Sequence, residues 1–409
     1  MNINGARLNE RLTALSRIGA TPDGGVTRLA LSLEDRQARA LLLGWALARG
    51  FEVGRDVAGN LFIARRGTNS GLPPLMTGSH LDTQRNGGNF DGIYGVVAGL
   101  EVIESLEDAN VRTNADFVVT IWNNEEGVRY GPVTMGSSIW SGKLRLDDLI
   151  TEVDSDGVSL GAALEQDRAE LFELAAWPLQ SPFQFYVELH IEQGPVLDAA
   201  DTPIGVVTGI QGVRQFLFKV QGEAAHAGTT PMAARKDAFS AALELCERLK
   251  EIAVVSDPAV RFTIGRFVVS PGAPNTIPAE VTFTVDFRSP DTKTLRERGA
   301  AMLAAAGEVW GPCLAEVKEF IHSEPVSFDA EVMAAIRSAA VASDLAFLEL
   351  PSGATHDALH VARIGAAGMI FVPSRDGVSH NPREWTDPGH LTAGCQVLAS
   401  AMRSLDRAR

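Results

Sequence analysis

The segment Thr77-Gly-Ser-His-Leu-Asp-Thr83 follows the apolar pair Leu75-Met76, and Asn89-Phe-Asp-Gly92 comes shortly after it. In an extended segment side chains repeat every second residue, so His80 and Asp82 are expected on one side. A metal-bound imidazole needs a partner for its second ring nitrogen, and a carboxylate two residues away can supply it. Asp91 adds a carboxylate in a glycine-rich loop, where the backbone can bend toward an ion. A second apolar run, Phe117-Val-Val-Thr-Ile-Trp122, closes on Asn123-Asn-Glu-Glu-Gly127. Two strand ends carrying imidazole and carboxylate groups point to a metal-dependent hydrolase.

The chain has eight histidines. His80, His190, His226, His356 and His380 lie in turn-rich or motif surroundings, whereas His322, His360 and His390 read as structural. Two divalent ions sharing one carboxylate suit hydrolysis, because they lower the pKa of water and polarise a carbonyl. A bridging carboxylate plus two ligands per ion is met by His80, Asp91, Glu126, His190 and His380. Glu125 is adjacent to Glu126 but would point elsewhere, which leaves it free as the general base. Zinc takes such imidazole and carboxylate ligands, and manganese, cobalt or nickel also fits mixed nitrogen and oxygen donors. Singly, each of these features is commonplace. Glu125-Glu126 alone is usually a solvated pair, and the glycines between 87 and 99 lack the spacing of a nucleotide loop. The specificity lies in their joint occurrence along the chain.

These residues need a scaffold of two domains. At 409 residues the chain exceeds one ordinary domain, and 45% hydrophobic residues can fill two cores. The net charge of −15 argues against nucleic acid or an anionic membrane as partner. No apolar run is long enough to span a bilayer, and Met1-Asn-Ile-Asn-Gly-Ala-Arg7 has no export signature. Three scattered cysteines read as reduced thiols, so a cytoplasmic location is expected.

Helical patterns cover about 7–20, 33–50 and 92–107, with strands at 51–53, 61–64 and the two motif runs. Strand–helix–strand alternation implies an α/β fold, with a mixed sheet flanked by helices and ligands beyond the carboxyl ends of its strands. Residues 213–325 differ. Alternating strands near 213–221, 260–269, 281–288 and 314–320 enclose helical patterns at 233–253 and 292–306. That is a complete small α+β, ferredoxin-like unit inserted into a catalytic domain of residues 1–212 and 326–409. The chain returns through a helix near 329–343, a strand at 368–372 and a final helix at 388–405.

Taken in order, Gly78-Ser-His-Leu-Asp-Thr83, Phe90-Asp-Gly92, Asn124-Glu-Glu-Gly127, His190-Ile-Glu-Gln-Gly-Pro195, His226-Ala-Gly-Thr-Thr-Pro-Met232, Pro274-Asn-Thr-Ile-Pro278, Asp286-Phe-Arg288 and Ser379-His-Asn-Pro382 resemble the hydantoinase/carbamoylase amidohydrolases. These are relatives of the di-zinc aminoacylases, dipeptidases and carboxypeptidases. The resemblance spans essentially the whole chain. It implies a di-zinc aminopeptidase-like catalytic domain with a lid and dimerisation domain inserted, and a homodimer formed through the latter. It implies that His80, Asp91, Glu126, His190 and His380 hold two metal ions with Asp91 bridging, that Glu125 is the general base, and that Asp82 supports His80 from behind. It further implies that His226, Asn275 and Arg288 hold the substrate, with Gln193 and His356 close by. One departure is visible: Ser352-Gly-Ala-Thr-His-Asp357 has Thr355 where the family usually has glycine. A threonine enters glycine-only conformations at a cost, so a differently shaped loop is expected there.

The implied activity is cleavage of the carbamoyl amide of an N-carbamoyl-L-amino acid or related ureido acid, giving the amino acid, ammonia and carbon dioxide. Arg288 would clamp the substrate carboxylate as a fork, or else pair with Asp286 on its own strand face. The rivals are an allantoate or N-carbamoyl-β-alanine amidohydrolase, an acyl-amide or dipeptide hydrolase of the same architecture, and a binding protein that kept the fold and lost catalysis.

Overall fold

The computed structural model describes residues 1–406; the last three of the catalytic segment 326–409 lie outside the described residues. The chain divides into two compact units, Met1–Ile210 with Ser327–Arg409, and Gln211–Val326.

The larger unit is built on a ten-stranded mixed sheet. At its centre four strands run parallel in the order Ala367–Val372, Phe185–Ile191, Leu75–His80, Phe117–Trp122. Leu61–Arg65 then pairs antiparallel with Phe117–Trp122 and leads the sheet toward its edge. The central strands are buried at every position, as strands covered on both faces must be. The helix Ile93–Asp108 is almost wholly buried and lies in the same core as the helices Gly5–Ser16 and Pro388–Leu405. Ser32 caps the helix Leu33–Ala48 by accepting the Asp35 N–H, and Glu34 and Asp35 face the helix dipole in its first turn.

Register sets the site. His80 is paired with Trp122, and Phe371 with His190, so the motif residues emerge at the carboxyl ends of neighbouring parallel strands. Sequence periodicity located most of these elements within two or three residues. It did not mark the strands Phe185–Ile191 and Ile204–Ile210 or the helix Leu160–Glu170. Ile204–Ile210 lacks a clean period-two signal, whereas Val187 to Ile191 alternates apolar with polar residues and reads first as a ligand-bearing motif.

The smaller unit has the order strand, helix, strand, strand, helix, strand, with an antiparallel sheet arranged Arg261–Ser270, Glu280–Ser289, Gly212–Gln221, Leu314–Ser323. Phe216, Phe218, Val220, Val281, Phe283, Val285 and Phe287 form its core with the helices Ala238–Ala253 and Thr292–Ala305. The intervening residues of the central strands, among them Asp286 and Arg288, face the other side. No helix of the described residues is long and apolar enough to cross a membrane.

Candidate metal centre

His80 is the last residue of its strand, so strand alternation does not carry Asp82 to the same face. The expected carboxylate partner is replaced by a carbonyl. His80 Nδ1 donates to the backbone oxygen of Asp82 at 2.9 Å, while the nearest carboxylate oxygen of Asp82 is 3.7 Å away. Asp82 instead spends its carboxylate on the next strand end. Its two oxygens accept the N–H groups of Glu125 and Glu126, each at 3.1 Å. Asn124 makes this turn possible with a left-handed φ of 53°, a conformation that asparagine tolerates better than most residues. Met135 and Gly136 N–H groups then brace the turn through the carbonyls of Asn124 and Asn123.

Asp91 sits where the Phe90-Asp-Gly92 loop enters the helix Ile93–Asp108. Gly92 has φ 69°, and a Cβ there would lie 2.3 Å from the His80 ring. Only glycine lets the chain pass this close beneath the imidazole. His190 Nδ1 is tied to the Ile191 carbonyl at 2.9 Å, which turns its Nε2 toward Asp91.

Two groups of ligand-type atoms meet at Asp91, and a third, Glu188–His190–His356, lies behind His190. His80 Nε2 and His190 Nε2 lie 3.8 and 3.2 Å from Asp91 Oδ1. His380 Nε2 lies 3.1 Å from Asp91 Oδ2 and 3.6 Å from Glu126 Oε2. Asp91 is thus common to a buried set, His80–Asp91–His190, and a more open one, Asp91–Glu126–His380. Glu125 Oε2 stands 3.7 Å from His80 Nε2 and is all but buried.

The donor set is unbalanced without a cation. With their Nδ1 protons on carbonyls, His80 and His190 present Nε2 as an acceptor toward a carboxylate, which is itself only an acceptor, although the Gly92 N–H reaches His190 Nε2 at 3.2 Å. Burial pushes Glu126 up to about 8, with Asp91 adding to the shift. Burial likewise raises Glu125 well above the usual carboxylate range, helped by the charges of Asp357 and Glu126. The hydrogen bond to Asp91 pushes His380 up to about 9. His80 goes the other way, pushed down to about 4 by burial, which leaves its Nε2 an acceptor. A divalent ion between the two donor groups would suit the unprotonated His80 and Asp91 and take the place of protons on the acids. The residues present fit such an ion.

Gln193, with φ 57°, donates from Nε2 to Asp91 Oδ2 at 2.9 Å. His356 is buried with its ring 4.5 Å from that of His190, and its Nε2 is 3.0 Å from Ser352 Oγ. Thr355 is not among the residues with positive φ, so its backbone does not need glycine there.

The smaller unit carries the other three residues singled out. His226 and Asn275 are exposed and lie on neighbouring segments, joined by the pairing of His226 with Thr276 and by the Ala227 N–H to the Asn275 carbonyl. His226 Nδ1 accepts from Gly228 and Thr229 N–H groups, which leaves the proton on Nε2. Arg288 is partly exposed and makes a two-pronged contact with Asp286, Nε to Oδ1 at 2.8 Å and Nη2 to Oδ2 at 3.1 Å.

Sequence reasoning passed over several buried acids. Glu188 accepts from Ser79 Oγ at 2.8 Å and the Ala358 N–H at 2.8 Å. Asp357 accepts from Ser137 Oγ at 2.5 Å and has its other oxygen buried without a hydrogen-bond partner. Glu384, 2% exposed, accepts the N–H groups of Phe90 and Asp91. Asp357 closes the Ser352-Gly-Ala-Thr-His-Asp357 segment beside His356. Glu188 and Glu384 carry no marker, since a single acid in a strand or a polar loop is unremarkable until burial is known.

Residues 76–404 match the model of peptidase family M20/M25/M40. An N-carbamoyl-L-amino-acid amidohydrolase of Paenarthrobacter aurescens is 39% identical over 407 residues, 98% of each chain. An allantoate amidohydrolase of Bacillus subtilis is 34% identical over 398 residues, 96% of this chain and 95% of that one. The crystal structure of a hydantoinase/carbamoylase-family amidase from Burkholderia multivorans superposes with a TM-score of 0.91 at 38% identity, covering 99% of this chain and 98% of its own.

Proposed function

Since the chain belongs to peptidase family M20/M25/M40 and, within it, to the hydantoinase/carbamoylase amidases, we propose that it is an N-carbamoyl-L-amino acid amidohydrolase working with two divalent ions held by His80, Asp91, Glu126, His190 and His380. It is a hydrolase of carbon–nitrogen bonds in linear amides. The observation that carries the metal reading is Asp91, whose two oxygens each face a separate group of imidazole and carboxylate donors. Zinc suits these donors.

When bound, such ions lower the pKa of water and polarise the scissile carbonyl. The rest falls to side chains. Glu125 is beside His80 but belongs to neither donor set, so it is free to take a proton and pass it to the leaving nitrogen. Asp82 fixes Glu125 and Glu126 through their backbone N–H groups, which keeps the base and the ligand pointing apart. Arg288, its fork already oriented by Asp286, would receive the substrate carboxylate. His226 and Asn275 offer a ring N–H and an amide, and Gln193 and His356 border the donor groups.

A homodimer through residues 211–326 is part of this proposal. The strand Arg261–Ser270 is an edge of its sheet and exposes Phe267 and Val268, features that favour pairing with a second copy. The three cysteines are free and buried, which suits a reducing cytoplasm.

Ammonia release from the ureido acids, together with release of free amino acid from the acyl amides and dipeptides, tests the substrate reading. The panel is N-carbamoyl-L- and D-amino acids, N-carbamoyl-β-alanine, allantoate, N-acetyl amino acids and dipeptides, after chelation and after adding back zinc or manganese. Release from N-carbamoyl-L-amino acids that disappears on chelation and returns with metal is expected. Cleavage of acyl amides or dipeptides with no turnover of any ureido acid overturns it.

A further inference from the structure

Glu384 comes four residues after His380 and reaches back to the Asp91 loop. Its Oε1 accepts the N–H groups of Phe90 at 2.8 Å and Asp91 at 3.1 Å. Its Oε2 accepts from Ser379 Oγ at 2.8 Å. The approach is so close that a Cβ on Gly88 would stand 2.1 Å from the Glu384 carboxyl. One carboxylate therefore joins the loop that carries Asp91 to the loop that carries His380.

The Ser379 hydroxyl is the more telling detail. It lies 3.5 Å from Asp91 Oδ2 and accepts from Gln193 Nε2 at 3.2 Å. A hydroxyl has one hydrogen to give. With Glu384 0.7 Å nearer, that hydrogen goes to Glu384 and not to Asp91. The oxygen of Asp91 that faces His380 already accepts from Gln193 Nε2 at 2.9 Å, and because the Ser379 hydrogen does not crowd it further, a lone pair stays available to a cation.

We propose that Glu384 is a positioning residue for the bridging carboxylate: it fixes the Asp91 backbone and takes the Ser379 hydrogen, which keeps Asp91 Oδ2 open to a divalent ion. This rests on the metal reading above. It also makes a prediction that a plain structural role does not. In Glu384→Gln the amide oxygen still accepts from Phe90 and Asp91, while the amide nitrogen donates to Ser379. Ser379 then accepts from two amides, and its hydrogen turns toward Asp91 Oδ2, where it competes with the ion. Removing that hydroxyl repairs part of the damage.

The test is a double-mutant cycle on metal affinity. Zinc or manganese is titrated into metal-free full-length parent, E384Q, S379A and E384Q/S379A, with melting of each metal-free protein in parallel. We expect E384Q to weaken the more weakly held ion by about tenfold or more, the scale of partners behind a ligand. S379A in the E384Q background should regain at least about threefold, a coupling typical of residues in one network. Metal-free E384Q should melt close to the parent, because its hydrogen bonds are conserved in number. Parent-like affinity in E384Q overturns the proposal, and so does an additive cycle in which S379A rescues nothing. A parent that binds two ions alongside an unaffected E384Q sinks this inference alone, whereas a parent that binds none sinks the metal reading with it.

Discussion

In the larger unit His80, Asp91, Glu126 and His190 are 8% exposed or less, and backbone groups hold His80 and His190 at Nδ1, His190 also at Nε2, and Glu126 at Oε1. In the smaller unit His226 and Asn275 are exposed, and Arg288 is anchored by one carboxylate. The first set is built for a fixed charge at a fixed place. Carbonyls set the tautomers, a left-handed Asn124 sets the turn, and the low surrounding dielectric strengthens each contact. The second set meets water until something covers it, so its hydrogen bonds are individually weak. The difference predicts that substitutions in the buried centre act on rate and metal. Substitutions in the smaller unit should act on how well one class of substrate is told from another.

Glu125→Gln should give the largest effect. The amide keeps the shape and removes the proton-carrying function, so kcat should fall by roughly 10²–10⁴, the scale of general acid–base catalysis. Metal content should stay near the parent value, while Glu126→Gln should lose an ion. If Glu125→Gln loses metal and Glu126→Gln keeps it, the roles of the two neighbours are exchanged.

Arg288→Lys addresses the other half of the comparison. Lysine retains the charge but loses the fork, both toward Asp286 and toward a substrate carboxylate. We expect kcat/KM on N-carbamoyl amino acids to fall by about 10–100-fold, the worth of a charged hydrogen bond. Analogues without the carboxylate should be poor substrates that the change barely affects. Equal losses on both would make Arg288 a strand-face ion pair with no part in recognition.

The contrast between the two units also explains what was legible beforehand. His80, Asp91, Glu126, His190 and His380 were named because imidazoles and carboxylates in glycine-rich strand ends are rare in combination. The small unit was readable because Val281, Phe283, Val285 and Phe287 alternate with polar residues on a sheet with one covered face. The strand Phe185–Ile191 was not, although Val187, Leu189 and Ile191 alternate with Glu188 and His190; that alternation does not reveal that both faces are buried. The partner of His80 Nδ1 was misassigned for a related reason. The strand ends at His80, two residues before Asp82, and sequence spacing does not reveal where a strand stops. Glu384 and Glu188 carried no mark in the sequence, since what distinguishes them is burial and hydrogen bonds to residues far away in sequence.

Gly92→Ala probes how tightly the buried centre is fitted. The new methyl group would meet the His80 ring at 2.3 Å with the backbone at φ 69°. Either the imidazole or the Asp91 loop must shift. A loss of about 1–3 kcal/mol in unfolding free energy of the metal-free protein is expected from strain and overpacking. Metal affinity should fall with it. A parent-like denaturation midpoint would mean that the centre is looser than its burial implies.

The smallest effect belongs to Thr355, the residue that departs from the family pattern. A glycine at this point of the loop suggests a left-handed backbone, and threonine would then be strained by about 1–2 kcal/mol. The structure has Thr355 at negative φ, partly buried, directly before His356. On that geometry threonine is the better residue, because glycine has more conformations to lose on folding. Thr355→Gly should therefore lower stability by roughly 0.4–1 kcal/mol, read as a lower denaturant midpoint at unchanged slope. A rise in stability would reveal strain at Thr355 and place this loop, like Asn124 and Gly92, among the segments whose backbone is set by the site and not by the residue.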